Sequence, residues 1–196
     1  MNGYVVTVAT GLAEKVCENC ELRDWLPDER KVLAVIGSQR RIVVIDTVDR
    51  TIADALATEA RIGRCSLSPD GRWFAFVIQP AIWVAPFRPG APPPESEWKL
   101  VRKVEPGTSG REAGWSPNGR LIYLLLELDG FRCLYGQRFD PLRGELEGEL
   151  FPVHHFHDPR SQWGSTPYGS AIVGRIFIYD HRESTGSIWL MEPGAR

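Results

Sequence analysis

The sequence has one histidine cluster, made of His154, His155 and His157. In a β-strand, His155 and His157 lie on the same side, which suits two imidazole ligands of a metal ion, and Asp158 adds a carboxylate. A metal site needs three or four convergent ligands, and no second motif in the sequence is placed to complete this one. The pattern leaves two interpretations, a metal site or a polar edge or loop between two structural units, and it favours the second.

Two of the four cysteines, Cys17 and Cys20, have the spacing of half a zinc site or of a redox pair. The other two, Cys65 and Cys133, are single and lie in predicted strands of different repeats, so they do not supply the second pair that a structural zinc site needs. We therefore expect a small-residue loop at Cys17 and Cys20, or a local disulfide if the protein is exported. We predict no metal, no cofactor and no catalytic residue.

Other candidates for chemistry match turn patterns better than active-site motifs. The segment 68–71, Ser-Pro-Asp-Gly, has a single carboxylate, too few for calcium, and is typical of a tight turn. The segment 114–118 fails at the last position of a Gly-x-Ser-x-Gly nucleophile elbow. The sequence contains no His-Glu-x-x-His, phosphate-binding or kinase motif. We predict that the chain is not an enzyme.

The turn at 68–71 belongs to a repeat that organises the whole sequence. Pro27, Pro69 and Pro117, which are 42 and then 48 residues apart, each begin a turn that ends in arginine and precedes an apolar run. A degenerate fourth copy of the repeat lies at residues 173–179. Proline fixes φ, and Asp-Gly or Asn-Gly supplies the conformations that narrow hairpin turns need. Periods of about 40–50 residues built from short strands are typical of propeller blades.

Each copy predicts four strands whose polarity changes from the inside outwards. The second strand is apolar on both faces, and the fourth is more polar, as suits the exposed edge of a blade. The pattern of residues 51–60 fits either a helix or a strand, and we assign these residues to an outer strand. The predicted fold class is all-β, a β-propeller (partial or a small ring) of about four blades, each a four-stranded antiparallel sheet. The predicted divisions are a partial blade at 1–20, blades at 21–61, 62–108 and 109–153, and a partial last blade at 160–196.

The two ends of the chain do not complement each other in this scheme. Residues 4–17 match a third and a fourth strand, and residues 187–191 match another third strand. We expect the C-terminal part of a longer propeller or an irregular small ring. The uncovered blade faces of such an arc predict self-association. The proline-rich segment 88–96 is predicted as a loop, because the repeat resumes on both sides of it.

Tryptophans and arginines recur in the repeat. Tryptophans expected to fill space between blades are Trp73, Trp83, Trp115 and Trp189. Trp98 and Trp163 are less regular and are expected at a rim. The arginines that follow the turns are Arg30, Arg72, Arg120 and Arg175. They predict either solvent-facing side chains or a ring of cations around a channel mouth, and the pattern favours the first.

The segment 67–76, followed by Ile82-Trp83-Val84, resembles the WD-repeat-like propeller repeat of TolB-type proteins. Residues 114–120 and 187–191 match the same pattern, and the resemblance covers nearly the whole chain. The first copy departs from it, with Glu29 where glycine is expected. The resemblance implies a bacterial β-propeller of the kind found in TolB, in the C-terminal portions of serine/threonine kinases and transcriptional regulators, and in prolyl-oligopeptidase-like peptidases.

The composition of the 196 residues sets limits on the partners. The net charge is −2 without a sustained Lys/Arg run, so we predict neither a nucleic-acid partner nor an anionic membrane surface. No apolar run approaches the roughly 20 residues that span a bilayer, and no signal peptide is visible. The predicted function is a non-catalytic propeller that recognises or scaffolds a protein or peptide, as the C-terminal sensor part of a larger signalling protein. The alternative is the substrate-gating propeller of a peptidase whose catalytic domain lies outside this chain.

Overall fold

A computed structural model describes residues 1–105, 110–128, 130–155, 161–163, 170–173, 176–179 and 181–183. Within these ranges the regular structure is β-strand, apart from one 3-10 turn at Glu95–Glu97. No helix in the described part of the chain is long and apolar enough to cross a lipid bilayer.

Three four-stranded antiparallel sheets form the body of the molecule, and in each one the strands are adjacent in chain order. The first blade consists of β3 (Glu21–Trp25), β4 (Lys31–Ile36), β5 (Arg41–Asp46) and β6 (Ile52–Ala57). The second blade consists of β7 (Ile62–Leu67), β8 (Trp73–Ile78), β9 (Ala81–Pro86) and β10 (Lys99–Lys103). The third blade consists of β11 (Gly110–Trp115), β12 (Leu121–Glu127), β13 (Arg132–Asp140) and β14 (Glu145–His154).

Shorter units lie at the two ends of the chain. The N-terminal hairpin pairs β1 (Gly3–Thr7) with β2 (Leu12–Cys17). The C-terminal ribbon consists of β15 (Ser161–Trp163), β16 (Ser170–Val173), β17 (Ile176–Tyr179) and β18 (His181–Glu183). In this ribbon β16 pairs with β17, and β15 pairs with β18. The strand predicted at 187–191 lies outside the described residues.

The predicted all-β architecture is confirmed, with the copies of the repeat in separate sheets. Strands β8 and β12, which follow the second and third turns, occupy matching positions in adjacent sheets. The ambiguous segment 51–60 contains β6, so its assignment to an outer strand is correct.

Apolar alternation along each second strand explains how the blades stack. In β4, Leu33 and Val35 pack toward the second blade, whereas Val32 and Ala34 pack toward the N-terminal hairpin. Successive side chains of a strand point to opposite faces, so a continuous apolar run serves two interfaces at once. The interface between the second and third blades is built in the same way from Ala75, Val77, Ile122 and Leu124, among others. Phe177 of the C-terminal ribbon packs against Leu125 and Leu134 of the third blade.

Candidate recognition site

The turn that begins with Ser68 is held by its own side chains. The Ser68 hydroxyl donates to Asp70 Oδ1 (2.6 Å) and accepts from the backbone N–H of Trp73 (2.9 Å). Ser116 makes the same two contacts with Asn118 (2.8 Å) and the N–H of Leu121 (2.9 Å). Both serines are buried. These serine, aspartate and asparagine side chains therefore have a structural role, because their hydrogen bonds hold the turn between the first and second strands of a blade.

The first copy of the turn closes differently because Leu26 stands where the other copies have serine. Asp28 Oδ1 accepts directly from the N–H of Arg30 (3.1 Å) and of Lys31 (3.0 Å). A hydrogen bond from the Lys31 ammonium is the main cause that lowers the pKa of Asp28. Glu29 has a φ of +52°, in the region that Gly71 and Gly119 occupy at +68°.

Neighbouring turns are in contact along one side of the blade stack. A Cβ built on Gly71 would lie 3.4 Å from Pro27 Cγ, and one on Gly119 would lie 3.8 Å from Pro69 Cδ. Each turn therefore packs beside the proline of the turn before it.

The turns between third and fourth strands carry a second carboxylate clamp. Asp46 accepts from the N–H of Asp49 (3.0 Å) and Val48 (2.9 Å) and from Arg30 Nε (2.7 Å). These hydrogen bonds, led by the one from Asp49, lower the pKa of Asp46 to about 2 despite its burial. Asp140 accepts from the N–H of Leu142 (2.8 Å) in the corresponding turn of the third blade.

The turn arginines do not share one environment. Arg30 pairs with Asp46 and Asp49, and Arg72 pairs with Asp70 in its own turn (2.7 Å). These arginines are half exposed, which agrees with the solvent-facing interpretation, and their charges are paired, which counts against a ring of cations. Arg175 lies outside the described residues.

In the third copy Asn118 replaces the aspartate that pairs with the turn arginine. Arg120 is exposed and lines a groove of about 380 Å³ together with Arg138, Asp140 and Glu147. The Arg138 guanidinium stacks on the Phe151 ring at 4.9 Å from its centroid.

Trp73 and Trp115 fill space between blades, as predicted. Trp73 Nε1 donates to the Pro141 carbonyl of the third blade (3.0 Å), and Trp115 Nε1 donates to the Ser66 carbonyl of the second (3.3 Å). Both indoles contact the ring of Phe139 edge-on. Trp73 thus bridges the second and third blades through one apolar and one polar contact, whereas Trp115 reaches the second blade through its hydrogen bond. Trp189 lies outside the described residues.

The expectation that Trp98 lies at a rim is wrong. Its ring packs edge-on against Phe76 and Trp83, and these contacts extend the interface between the first and second blades. The proline-rich loop brings it there, since Trp98 Nε1 donates to the Pro93 carbonyl (3.2 Å). Trp163 lies in β15.

Cys17 and Cys20 form a disulfide with a Cα–Cα distance of 6.0 Å. It joins the end of β2 to the residue that precedes β3, and so ties the N-terminal hairpin to the first blade. Cys65 and Cys133 are buried in β7 and β13.

The histidine cluster is only partly within the described residues. His154 ends β14, and the His155 ring packs edge-on against Tyr135 at 5.8 Å between centroids. His157 and Asp158 lie outside the described ranges. No group of three or more His, Cys, Asp or Glu side chains in the described part of the chain is placed to hold a metal ion.

A groove of about 350 Å³ lies between β1 and β3. Its lining comprises Tyr4, Val5, Val6, Leu22, Arg23, Asp24, Trp25 and Val32. Trp25 is 47% exposed, whereas the residues at the same repeat position, Leu67 and Trp115, are 7% and 6% exposed. Trp25 therefore occupies a repeat position that is buried between blades in the other two copies, but no described residue buries it here.

Two charged residues lie on this groove. Asp24 accepts from the N–H of Trp25 (2.9 Å) and of Leu67 (3.3 Å). Burial nevertheless raises the pKa of Asp24. Arg23 Nη2 donates to Glu21 (2.8 Å), and its buried Nε has no hydrogen-bond partner in the described part of the structure.

Sequence reasoning did not single out Trp25 or Asp24. The signal was present in the alignment of the repeat copies. Trp25 aligns with Leu67 and Trp115 in the repeat, and that position is expected to face the preceding blade.

No family model matches the chain, and no curated protein sequence matches it. Solved structures do. The chain is similar to TolB from Acinetobacter baumannii, with a TM-score of 0.63 and 14% identity over 93% of this chain and 46% of that one. It is also similar to a protein described as TolB from Agrobacterium tumefaciens, with a TM-score of 0.56 and 20% identity over 76% and 52% of the two chains.

A prolyl endopeptidase structure has a TM-score of 0.55 and 16% identity, over 91% of this chain and 28% of that one. At these identities the likeness concerns the fold. The fold is a partial β-propeller of the TolB-like kind, and the chain spans about half the length of the TolB structures.

Proposed function

We propose that this chain is a non-catalytic propeller that recognises a protein segment. The observation that carries the proposal is the groove between β1 and β3, where Trp25 stays half exposed although its repeat equivalents are buried. Exposed apolar surface beside a few polar groups is typical of recognition sites. The carboxylates of the turns, in contrast, are occupied by clamp hydrogen bonds and ion pairs.

A role as the C-terminal sensor of a larger bacterial signalling protein is the finer form of this proposal. It is supported by the resemblance of the repeat to propellers linked to kinases and regulators. Its test is whether a kinase or DNA-binding domain precedes this segment in the complete gene. A peptidase domain following the segment would instead favour the substrate-gating role.

Selection of a displayed random peptide library on the folded chain tests recognition directly. We expect enrichment of peptides that bind the wild-type chain and lose at least about tenfold in affinity to the Trp25→Lys variant. Ile178→Lys is the matched control, since Ile178 is also an exposed apolar strand residue and lies at the opposite end of the chain. A selection that enriches no binder contradicts the proposal.

The proposal that the chain is not a catalyst is tested separately. Fluorogenic proline-containing peptides incubated with the purified chain should be hydrolysed no faster than with the chain heat-denatured. Saturable hydrolysis by the folded chain would overturn it.

We also propose that the chain associates with itself through its uncovered end faces. Tyr4 and Val6 are exposed on the N-terminal hairpin, and Ile176 and Ile178 are exposed on β17. Their chain neighbours Val5 and Phe177 point the other way and pack against the adjacent blade. These faces support contact with further blades.

A further inference from the structure

The loop between β9 and β10 contains three consecutive prolines, Pro92, Pro93 and Pro94. Proline fixes φ near −65°, and a residue that precedes proline is restricted to extended ψ values. Pro92 and Pro93 both precede proline, and Pro94 has a φ of −64° and a ψ of 157°. Those angles belong to polyproline II. Residues 92–94 therefore form one turn of this left-handed helix, which has no internal hydrogen bonds.

Both ends of this turn of helix are set by backbone hydrogen bonds. Ahead of it, the N–H of Ala91 donates to the Arg88 carbonyl (3.0 Å), in a turn where Gly90 has a φ of +83°. After it, the N–H of Glu97 donates to the Pro94 carbonyl (2.9 Å), where the 3-10 turn begins. The polyproline II segment is therefore short, and its position in the loop is fixed.

Contacts within the loop and with the second blade hold the segment in place. Trp98 Nε1 donates to the Pro93 carbonyl (3.2 Å), and the indole ring packs edge-on against two aromatic rings of the second blade. An ion pair between Arg88 and Glu97 joins the two ends of the loop. A binding partner therefore does not have to order this loop, which removes an entropic cost of association.

The segment turns one proline toward the protein and two toward solvent. Pro93 is buried, whereas Pro92 and Pro94 are exposed. A helix with three residues per turn produces this pattern when one of its sides lies against a surface. The Pro92 carbonyl accepts no hydrogen bond from any described residue, whereas the next two carbonyls are occupied. The exposed side thus offers two rigid proline rings and one main-chain acceptor.

We propose that residues 92–94 are a docking segment for a partner protein whose groove is lined with aromatic side chains. Such grooves bind polyproline II segments because the helix is already formed and loses little conformational entropy on binding. Tryptophan and tyrosine in the groove also supply N–H and O–H donors for the Pro92 carbonyl. This docking segment is separate from the recognition groove, since here the chain is the ligand and Trp25 takes no part.

An acidic residue beside the docking segment predicts the charge of the partner. Glu95 follows Pro94 directly and is exposed, and its carboxylate makes no ion pair with another described residue. Glu97, in contrast, is paired with Arg88. We therefore expect a lysine or arginine at the end of the groove that receives Glu95, and binding that weakens as the salt concentration rises.

A panel of SH3, WW and EVH1 domains supplies the probes, since these domains bind proline-rich segments in aromatic-lined grooves. Binding of the folded chain to each immobilised domain is measured by surface plasmon resonance, and we expect saturable binding to at least one. The double variant Pro92→Ala/Pro94→Ala should bind at least about tenfold more weakly, and Glu95→Lys at least about threefold more weakly. Pro117→Ala, which alters an exposed proline in another turn, is the matched control and should change the affinity less than about twofold.

A synthetic peptide of residues 88–98 separates the chemistry of the segment from its preorganisation. It should compete for the same domain with an affinity at least about fivefold lower than that of the folded chain, because its ends are not held. Circular dichroism shows whether each variant of the chain is folded. The peptide that carries both alanine substitutions repeats the comparison without the fold, so a variant that unfolds does not remove the test.

The inference is overturned if no domain of the panel binds the chain. It is also overturned if the double alanine substitution leaves binding unchanged in the folded chain or in the peptide, or if Pro117→Ala weakens binding as much. None of these results affects the recognition groove, which the peptide selection with Trp25→Lys tests independently.

Discussion

Glu29 occupies the turn position that glycine holds in the second and third copies. Its φ of +52° is unfavourable for a residue with a Cβ, at a cost of about 1–2 kcal/mol. The turn keeps this conformation because the Glu29 N–H donates to the Leu26 carbonyl (3.0 Å) and Asp28 holds the next two N–H groups. The local hydrogen bonds thus override the preference of the residue.

Replacing Glu29 with glycine should stabilise the protein. We expect a gain of about 0.5–1 kcal/mol, because relief of the backbone strain exceeds the extra entropy of glycine in the unfolded chain. Urea unfolding measures the difference. Gly119→Ala is the control of opposite sign, since Gly119 has a φ of +68° and room for a methyl group, so the added backbone strain exceeds the entropy that alanine removes from the unfolded chain. A Glu29→Gly midpoint at or below that of the wild type would contradict this account.

The pKa shifts of Asp46 and Asp24 predict opposite effects of pH on the stability of the folded state. The pKa of Asp46 is lowered to about 2 from an unfolded value near 4, so its stabilisation is present above pH 4 and is lost as the pH falls toward 2. The pKa of Asp24 is raised by burial, so ionising it above pH 4 lowers the stability of the folded state.

The two asparagine variants test these signs by thermal unfolding at several pH values. Asp46→Asn should be less stable than the wild type at pH 7 and approach it at pH 2. Asp24→Asn should be more stable than the wild type at pH 7, with the difference vanishing near pH 3. Shifts of equal sign at pH 7 would mean that one of the two environments is not as described.

Between elements, the contact of Trp73 with the turn of the next blade joins two sheets. The indole donates to the Pro141 carbonyl, and its ring lies where a side chain at Gly144 would stand. Glycine is required there both for this close approach and for its φ of +69°.

Gly144→Ala should therefore cost far more than another glycine substitution with the same backbone strain. Gly90 has a φ of +83° and open space at its Cβ position. We expect Gly144→Ala to destabilise by about 2 kcal/mol more than Gly90→Ala, because the added methyl group overlaps the Trp73 ring and forces the blades apart. Equal losses in urea unfolding would show that the ring moves aside without cost.

Elements set by local chemistry could be predicted from the sequence, and those set by distant contacts could not. The turns at Pro69 and Pro117 and the strands after them follow from residues a few positions apart. Trp98 was misplaced because its burial depends on the path of the loop before it. Trp25 was missed because its exposure depends on which strand lies beside β1, which no local pattern records.

At the scale of the molecule, the end faces predict head-to-tail association. The face with Tyr4 and Val6 and the face with Ile178 are opposite sides of the repeat, and inside the chain such sides pack against each other. Association of unlike faces builds closed rings or open filaments, whereas association of like faces stops at a dimer.

Mixing two variants distinguishes these cases. Val6→Asp and Ile178→Asp should each be monomeric at concentrations at which the wild type associates in analytical ultracentrifugation. Mixed together they should form a 1:1 complex, because each retains the face that the other has lost. A monomeric wild type at high concentration would refute the scheme.

The proline-rich loop, residues 88–96, limits where further strands can add to the first blade. The N–H of Gly90 donates to the Asp54 carbonyl on the outermost strand of the first blade (2.7 Å), and Arg88 and Glu97 pair across the base of the loop. The rim of that sheet is thereby occupied by a segment of its own chain, four of whose residues lack an N–H to offer. Addition of a further strand to β6 is therefore hindered at the Asp54 carbonyl, so added units should extend the arc from its end faces rather than from the outer edge of the first blade.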